Sequence, residues 1–463
     1  MHRAIVEPPL VLDRDGTEPL TVQITGQLRA AVFGNRLRAG ERLPSSRALA
    51  ATLGVSRTVV TNAYLQLFAE GWLEGRHGSG TYVAPGAASP GRLAHPVGAR
   101  STPLAPAPSQ GLTEMRPGVP WVAGIDQAAW RRAWRVAASA APSRWPQPRG
   151  LLPLREALCG YLRRSRGLDC TPDHVLVTRG VANGLELLAG ELLRPGDRAG
   201  IEEPGYPVGR AILARWDPAL LPCAVDAHGL VPADLPGGLR LLYATPAHQY
   251  PLGGRLPVPR RQALVAWARA TGALIVEDDY DSEFRYDVAP LPALYGLDPE
   301  VVAYLGTTSK TLTPALGVGW LVARPDLVTA LAGAREALGD RTDEAGQRAV
   351  LAMIGSGDLD RHIRRMRREY ARRRDLIVSI LSEPGLPGRL CGDTAGLHVV
   401  LELDGVSEDQ IAAQAQQRGV VVHTLRRYFG GPQTAQGLVI GYGSLSLTQV
   451  ATTTGVLRDV LTS

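Results

Sequence analysis

Of the 50 basic residues in this 463-residue chain, one is a lysine, Lys310, and 49 are arginines. Arginine can replace lysine as a surface cation. It cannot replace it as a nucleophilic amine, because the guanidinium stays protonated and does not condense with a carbonyl to form a Schiff base. Codon bias accounts for the arginines, and the plain alternative for Lys310 is chance survival. Its neighbours favour chemistry: in Gly306-Thr307-Thr308-Ser309-Lys310-Thr311-Leu312, hydroxyls flank the amine just after an apolar run. Upstream, Ile275-Val276-Glu277-Asp278-Asp279-Tyr280-Asp281-Ser282-Glu283-Phe284 ends another apolar run in carboxylates. Asp279, Asp281 and Glu283 invite a metal reading, but no paired histidine supports it. Thr178-Arg179-Gly180-Val181-Ala182 passes from a strand into a helix, where backbone N–H groups can cradle a phosphate.

A second set of residues suits nucleic acid. Ser56, Arg57 and Thr58 open a helix after the short glycine-containing turn Leu53-Gly54-Val55-Ser56, as a helix-turn-helix requires. Side chains on such a first turn reach base edges and phosphates, and an arginine there can grip guanine with two hydrogen bonds. Gly71-Trp72-Leu73-Glu74 and Gly80-Thr81-Tyr82-Val83 have the pattern of two strands around the tip Arg76-His77-Gly78-Ser79, a wing. Between Thr21 and Ala84 seven arginines face three acids. The net charge of +6 permits nucleic-acid binding without proving it. A helix-turn-helix used for protein contact is the alternative.

These residues need at least two domains to position them, and 463 residues exceed one compact core. Residues 1–84 hold the winged helix, with Ile24, Leu28 and Val32 on one helical face and with Ser45 and Ser56 as helix N-caps. Residues 85–112, rich in Pro, Gly, Ala and Ser, form a linker without apolar periodicity. Residues 113–463 alternate apolar runs (174–178, 239–245, 273–277, 301–305, 319–323) with helical stretches. That indicates an α/β domain with a mainly parallel sheet, followed by a smaller C-terminal α+β subdomain. Ligands in such sheets bind beyond the carboxyl ends of the strands. The chain shows neither a membrane span nor a signal core, and its four cysteines are spread without a disulfide or zinc pattern, so a cytoplasmic protein is expected.

Leu43-Pro44-Ser45-Ser46-Arg47, Leu53-Gly54-Val55-Ser56-Arg57-Thr58, Ala63-Tyr64 and His77-Gly78-Ser79-Gly80-Thr81 together resemble the winged helix of the GntR regulators. The resemblance implies double-stranded DNA contacts from Arg47, Ser56, Arg57 and Thr58, with His77 and Gly78 at the wing tip. The Lys310 segment resembles the Schiff-base segment of fold-type I pyridoxal phosphate enzymes. Glu202-Glu203-Pro204-Gly205-Tyr206-Pro207 and Thr245-Pro246-Ala247-His248-Gln249-Tyr250-Pro251-Leu252-Gly253 are similar to family segments at the ring. A GntR reader joined to a class I aminotransferase-like domain is identified as a member of the MocR subfamily. This implies a head-to-tail homodimer that holds pyridoxal 5'-phosphate on Lys310. Asp278 is expected at the ring nitrogen, Tyr280 at the ring oxygen and Tyr206 against the ring. Gly180, Val181, Thr307 and Ser309 are expected around the phosphate. In the second ring segment, either His248 or Gln249 makes the contact.

Three departures from the family pattern stand out. Gly317 occupies the usual position of a phosphate-binding Arg, Val181 and Ala182 that of a Ser-Gln pair, and Val439 that of the Arg that binds an amino acid's carboxylate. Each lost charge-assisted donor is worth about 1.5–3 kcal/mol. Arg149 and Arg179 are the candidate substitutes. Three readings follow: a cofactor-dependent regulator sensing a small-molecule effector, with pyridoxal phosphate itself a candidate; a regulator whose degenerate site binds another ligand; and an active aminotransferase carrying a DNA module. The first is expected, with no residue in a catalytic role. The basic run Arg361-His362-Ile363-Arg364-Arg365-Met366-Arg367-Arg368 reads as a solvated helix face, with a second DNA contact as the alternative.

Overall fold

The computed structural model describes residues 5–8, 10–34, 36–76, 80–84, 111–288 and 292–463. The chain folds as two compact units, Met1–Ala105 and Pro106–Ser463. Of the expected linker, residues 85–110 lie outside the described residues.

In the first unit, α1 (Leu20–Phe33) buries Ile24, Leu28, Ala31 and Val32. α2 (Ser46–Leu53) starts where the Ser45 hydroxyl accepts the Ala48 N–H at 3.2 Å. It stops at Gly54, whose φ of 61° is left-handed backbone that favours glycine. α3 (Arg57–Ala69) starts on the Ser56 hydroxyl, which accepts the Val59 N–H at 3.4 Å. The Tyr64 hydroxyl donates to the Pro44 carbonyl at 2.9 Å, tying α3 to the turn before α2. β1 (Arg42–Leu43), β2 (Leu73–Arg76) and β3 (Gly80–Val83) form a small sheet in the order β1-β3-β2. Leu49, Val60, Leu67, Leu73 and Val83 close the core beneath it.

The second unit opens with β4 (Thr113–Glu114) and is built on an eight-stranded sheet. Its strands are β5 (Val175–Thr178), β6 (Arg198–Glu203), β7 (Ala219–Asp226), β8 (Gly229–Leu230), β9 (Leu239–Ala244), β10 (Leu274–Asp278), β11 (Val302–Thr307) and β12 (Gly319–Val322). Their order is β5-β12-β11-β10-β9-β6-β7-β8. The run β11-β10-β9-β6-β7 is parallel, while β12 is antiparallel to both its neighbours. Successive strand side chains face opposite sides, so Ile275, Val302 and Tyr304 enter one core while Val276, Ala303 and Leu305 enter another. Both faces are therefore covered, as continuous apolar strands require.

β6 and β7 have no counterpart among the expected strands. β6 reads Arg-Ala-Gly-Ile-Glu-Glu, with Glu202 buried. That carboxylate accepts the Thr245 N–H at 3.1 Å and the Thr245 hydroxyl at 2.5 Å, partners no local pattern announces. Pro222 interrupts the apolar run of β7.

The C-terminal subdomain pairs β13 (Gly388–Cys391), β14 (His398–Leu403), β16 (His423–Thr424) and β17 (Gly437–Gly441) in the antiparallel order β13-β14-β17-β16, while β15 (Val420–Val421) lies parallel to β4. The helices Asp358–Leu381 and Leu447–Leu461 pack with this sheet around a shared apolar core. The basic run is only partly solvated. Arg361, Arg364 and Arg368 are exposed, whereas Arg365 donates to the Gly124 carbonyl at 2.7 Å and Arg367 to the Glu283 carbonyl at 2.9 Å. The four cysteines are free. Among the described residues no helix is long and apolar enough to cross a membrane.

Candidate cofactor site and DNA-reading face

Beyond the carboxyl ends of the central strands lies a cavity of about 280 Å³. Lys310, Asp278, Tyr280, Tyr206, Gly180, Val181, Thr307 and Ser309 all line it, although they come from four separate stretches of chain. Lys310 sits just beyond β11. Its loop is held by the Thr308 hydroxyl, which donates to the Val318 carbonyl at 2.7 Å, and by a 2.8 Å hydrogen bond between His362 Nε2 and the Thr311 carbonyl. Lys310 Nζ donates to the Gly118 carbonyl at 2.7 Å. Gly118 arrives there because β4 runs beside β15 and the Gly441 N–H donates to the Met115 carbonyl at 2.9 Å. Burial lowers the lysine pKa, opposed by the charges of Asp281 and Asp278. A less-protonated amine is the form that attacks a carbonyl.

Asp278 ends β10 and is 4% exposed. Burial pushes its carboxyl up to about 7, against a hydrogen bond from the Tyr243 hydroxyl to Oδ2. Oδ1 is buried without a partner. An unpaired buried carboxylate oxygen is costly, and a protonated ring nitrogen would satisfy it. The Tyr280 hydroxyl lines the cavity and makes a 2.9 Å hydrogen bond with His248 Nδ1. That nitrogen also lies 3.1 Å from Asp281 Oδ1. Neither His248 nor Gln249 lines the cavity; from their segment Thr245 and Tyr250 do. The Gln249 side chain is occupied with the Pro204 and Tyr250 carbonyls at 2.9 and 2.8 Å.

The walls are aromatic. Tyr206 stacks on Tyr243 at 6.3 Å between ring centroids, and Tyr250 sets its edge to Tyr206 at 5.9 Å and to Tyr280 at 5.5 Å. Tyr243 and Tyr250 are absent from the residues expected at the site. The sequence offers one signal for Tyr243: it stands near the end of the apolar run 239–245, and ligands in such sheets bind beyond strand ends.

At the other end Gly180, at φ 104°, precedes the helix Val181–Leu192. A Cβ at Gly180 would stand 3.5 Å from Thr307 Oγ1 and 3.8 Å from Ser309 Oγ, so all three close on one point. Thr307 Oγ1 donates to Ser309 Oγ at 2.8 Å. Hydroxyls and a helix N-terminus converging there suit a phosphate. Gly317 lies outside the cavity lining. Of the two candidate substitutes, Arg149 is bound elsewhere, to Asp173 at 3.2 Å and Thr329 at 2.7 Å. Arg179 lines the cavity and pairs with Asp340. Pyridoxal phosphate fits this donor set: an amine for its carbonyl, a carboxylate for its ring nitrogen, aromatic walls for its ring and a polar end for its phosphate. Once bound, the group would supply electron withdrawal at the carbon attached to the amine.

On the winged helix, Arg47, Ser56, Arg57 and Thr58 are exposed. Arg57 and Thr58 begin α3, whereas Ser56 is its N-cap and spends its hydroxyl on Val59. His77 and Gly78 lie outside the described residues.

Residues 20–83 match the family of bacterial regulatory proteins of the gntR type, and residues 124–434 match aminotransferase class I and II. The chain is 39% identical over 441 residues to the HTH-type pyridoxine biosynthesis transcriptional regulator of Corynebacterium glutamicum, covering 95% of each. It is 35% identical over 460 residues to a probable rhizopine catabolism regulatory protein, MocR, of Rhizobium meliloti, covering 94% of this chain and 92% of that one. Among solved structures it is similar to the kynurenine aminotransferase of Pyrococcus horikoshii, with a TM-score of 0.70 at 22% identity, over 76% of this chain and 91% of that one.

Proposed function

This chain belongs to the MocR-type regulators, a GntR winged helix fused to a class I and II aminotransferase domain, and from that premise we propose that its effector domain holds pyridoxal phosphate on Lys310 and senses a small molecule there. The protein is a DNA-binding transcriptional regulator with pyridoxal phosphate as its cofactor. The observation that carries the reading is the cavity itself: a buried amine, a carboxylate oxygen without a partner and a glycine-hydroxyl cradle on one wall system. Lys310 binds the cofactor's carbonyl, Asp278 holds the proton on its ring nitrogen, and Tyr206 and Tyr280 bound its ring. Gly180, Val181, Thr307 and Ser309 receive its phosphate.

We assign residues 1–84 to the DNA reader, with Arg47, Ser56, Arg57, Thr58, His77 and Gly78 as its operator contacts. Residues 85–112 are assigned to the linker and 113–463 to the effector and dimerisation domain. The working form is a head-to-tail homodimer in the cytoplasm. The effector, pyridoxal phosphate itself or a compound bound beside it, must favour one arrangement of the paired readers differentially, or nothing switches. Val439 speaks against an ordinary amino acid as effector: it is fully buried against Leu425 and Tyr428 and offers a carboxylate no cation.

The test is a visible absorption titration with pyridoxal phosphate on wild type and on Lys310→Ala. A band in wild type that is absent from the variant supports the reading. Absence of a band in both, even with excess cofactor, overturns it in favour of another ligand.

A further inference from the structure

The phosphate end of the cavity poses a charge problem. A phosphate carries close to two negative charges at neutral pH and is held most strongly by charge-assisted donors. Thr307 and Ser309 are neutral, Gly317 stands where a cation is expected, and Lys310 is committed to the carbonyl at the opposite end. Among the residues lining the cavity, Arg179 is the one other cation.

Its placement is built rather than incidental. Arg179 immediately precedes Gly180, and its backbone N–H donates to Asn183 Oδ1 at 3.0 Å, which locks the turn into the following helix. Asn183 Nδ2 in turn donates to Asp340 Oδ2 at 3.3 Å, the carboxylate that pairs with the Arg179 guanidinium. Arg335 Nε lies 3.4 Å from the same carboxylate, and its side chain is 1% exposed. Two guanidinium groups thus share one carboxylate, leaving a net positive charge beside the helix N-terminus. Burial and the charge of Arg179 push the Arg335 pKa down to about 10, as expected where positive charge is in excess. The Arg179 side chain is 45% exposed, so a guanidinium with five donors keeps some of them free of Asp340.

We propose that Arg179 supplies the guanidinium contact to the cofactor phosphate that position 317 lacks, with Asp340 and Asn183 as the groups that orient it. This inference rests on the pyridoxal phosphate reading and adds how this chain recognises the phosphate. Arg149 has no part in it.

The experiment compares pyridoxal phosphate with pyridoxal, which has the same carbonyl and ring but no phosphate. Both are titrated by visible absorption into full-length wild type, Arg179→Ala and Arg149→Ala. Losing one charge-assisted contact should weaken pyridoxal phosphate binding by roughly ten- to a hundredfold in Arg179→Ala. Pyridoxal binding should stay at the wild-type level, and Arg149→Ala should match wild type with both. An Arg179→Ala protein that keeps the full wild-type preference for the phosphate ester overturns the inference. So does equal weakening toward both compounds, which marks a structural role. A wild type that forms no band with either compound removes the cofactor reading, and this inference with it.

Discussion

Asp278→Asn removes a buried charge at nearly constant shape, and its consequences follow from the environment of that carboxyl. The group is 4% exposed, and burial raises its pKa from the ordinary 3.8 to about 7. The sign follows from the protons bound. Between these values the unfolded chain has lost the proton while the folded cofactor-free chain keeps it, so stability falls as pH rises through the window. At about 1.4 kcal/mol per pH unit, the interval from 3.8 to about 7 amounts to roughly 4 kcal/mol, an upper figure. Burial also raises Glu202 and Glu277 to about 7 and raises Glu283, while it lowers His362, His398 and His423 to about 4 with the opposite effect on stability, so the difference between variant and wild type isolates Asp278. The asparagine carbonyl can still accept from Tyr243. Urea unfolding of both cofactor-free proteins from pH 4 to pH 9 should show the variant gaining on wild type up to about pH 7 and then levelling off. The winged helix is untouched and cancels in the difference. Cofactor binding should move the opposite way, weakening about tenfold or more, because an amide cannot balance a protonated ring nitrogen. A stability difference that is flat across this range, or a variant less stable than wild type at pH 8, would refute the reasoning.

Two further outcomes are expected. Arg57→Ala should weaken specific operator binding by roughly 1–3 kcal/mol in a gel-shift titration while leaving cofactor absorption unchanged; unaltered operator affinity would remove Arg57 from the contacts. Gly180→Ala places a side chain at φ 104° and carries a Cβ to 3.5 Å from Thr307 Oγ1. It should cost cofactor affinity about tenfold or more by absorption titration, in a protein that still binds DNA; full cofactor affinity in this variant would place the phosphate elsewhere.

The elements that carry function were legible wherever the information is local. Ser45 and Ser56 cap their helices because a serine hydroxyl reaches the N–H three residues on. Gly54 ends α2 because the turn needs a left-handed residue. The apolar runs that became β5, β9, β10, β11 and β12 are strands buried on both faces, and composition alone marks such runs. Lys310 identified itself by being the one lysine in an arginine-rich chain. The family motifs pointed to eight of the residues that line the cavity.

Other features needed partners distant in the chain. β6 escaped notice because Glu202 reads as a surface residue until Thr245, 43 positions later, satisfies it. Tyr243 and Tyr250 line the site because parallel strand ends converge, an outcome of sheet order rather than of spacing. The choice between Arg149 and Arg179 was open in the chain, since both are arginines next to glycine turns. Packing separates them: one is spent on Asp173 and Thr329, and the other faces the cavity under Asp340. Residue type and spacing thus specify which chemistry is possible here, because caps, turns and nucleophiles act over a few bonds. Which charges meet, and which buried oxygen is left without a partner, depends on contacts between segments tens to nearly two hundred residues apart, and those exist only in the folded chain.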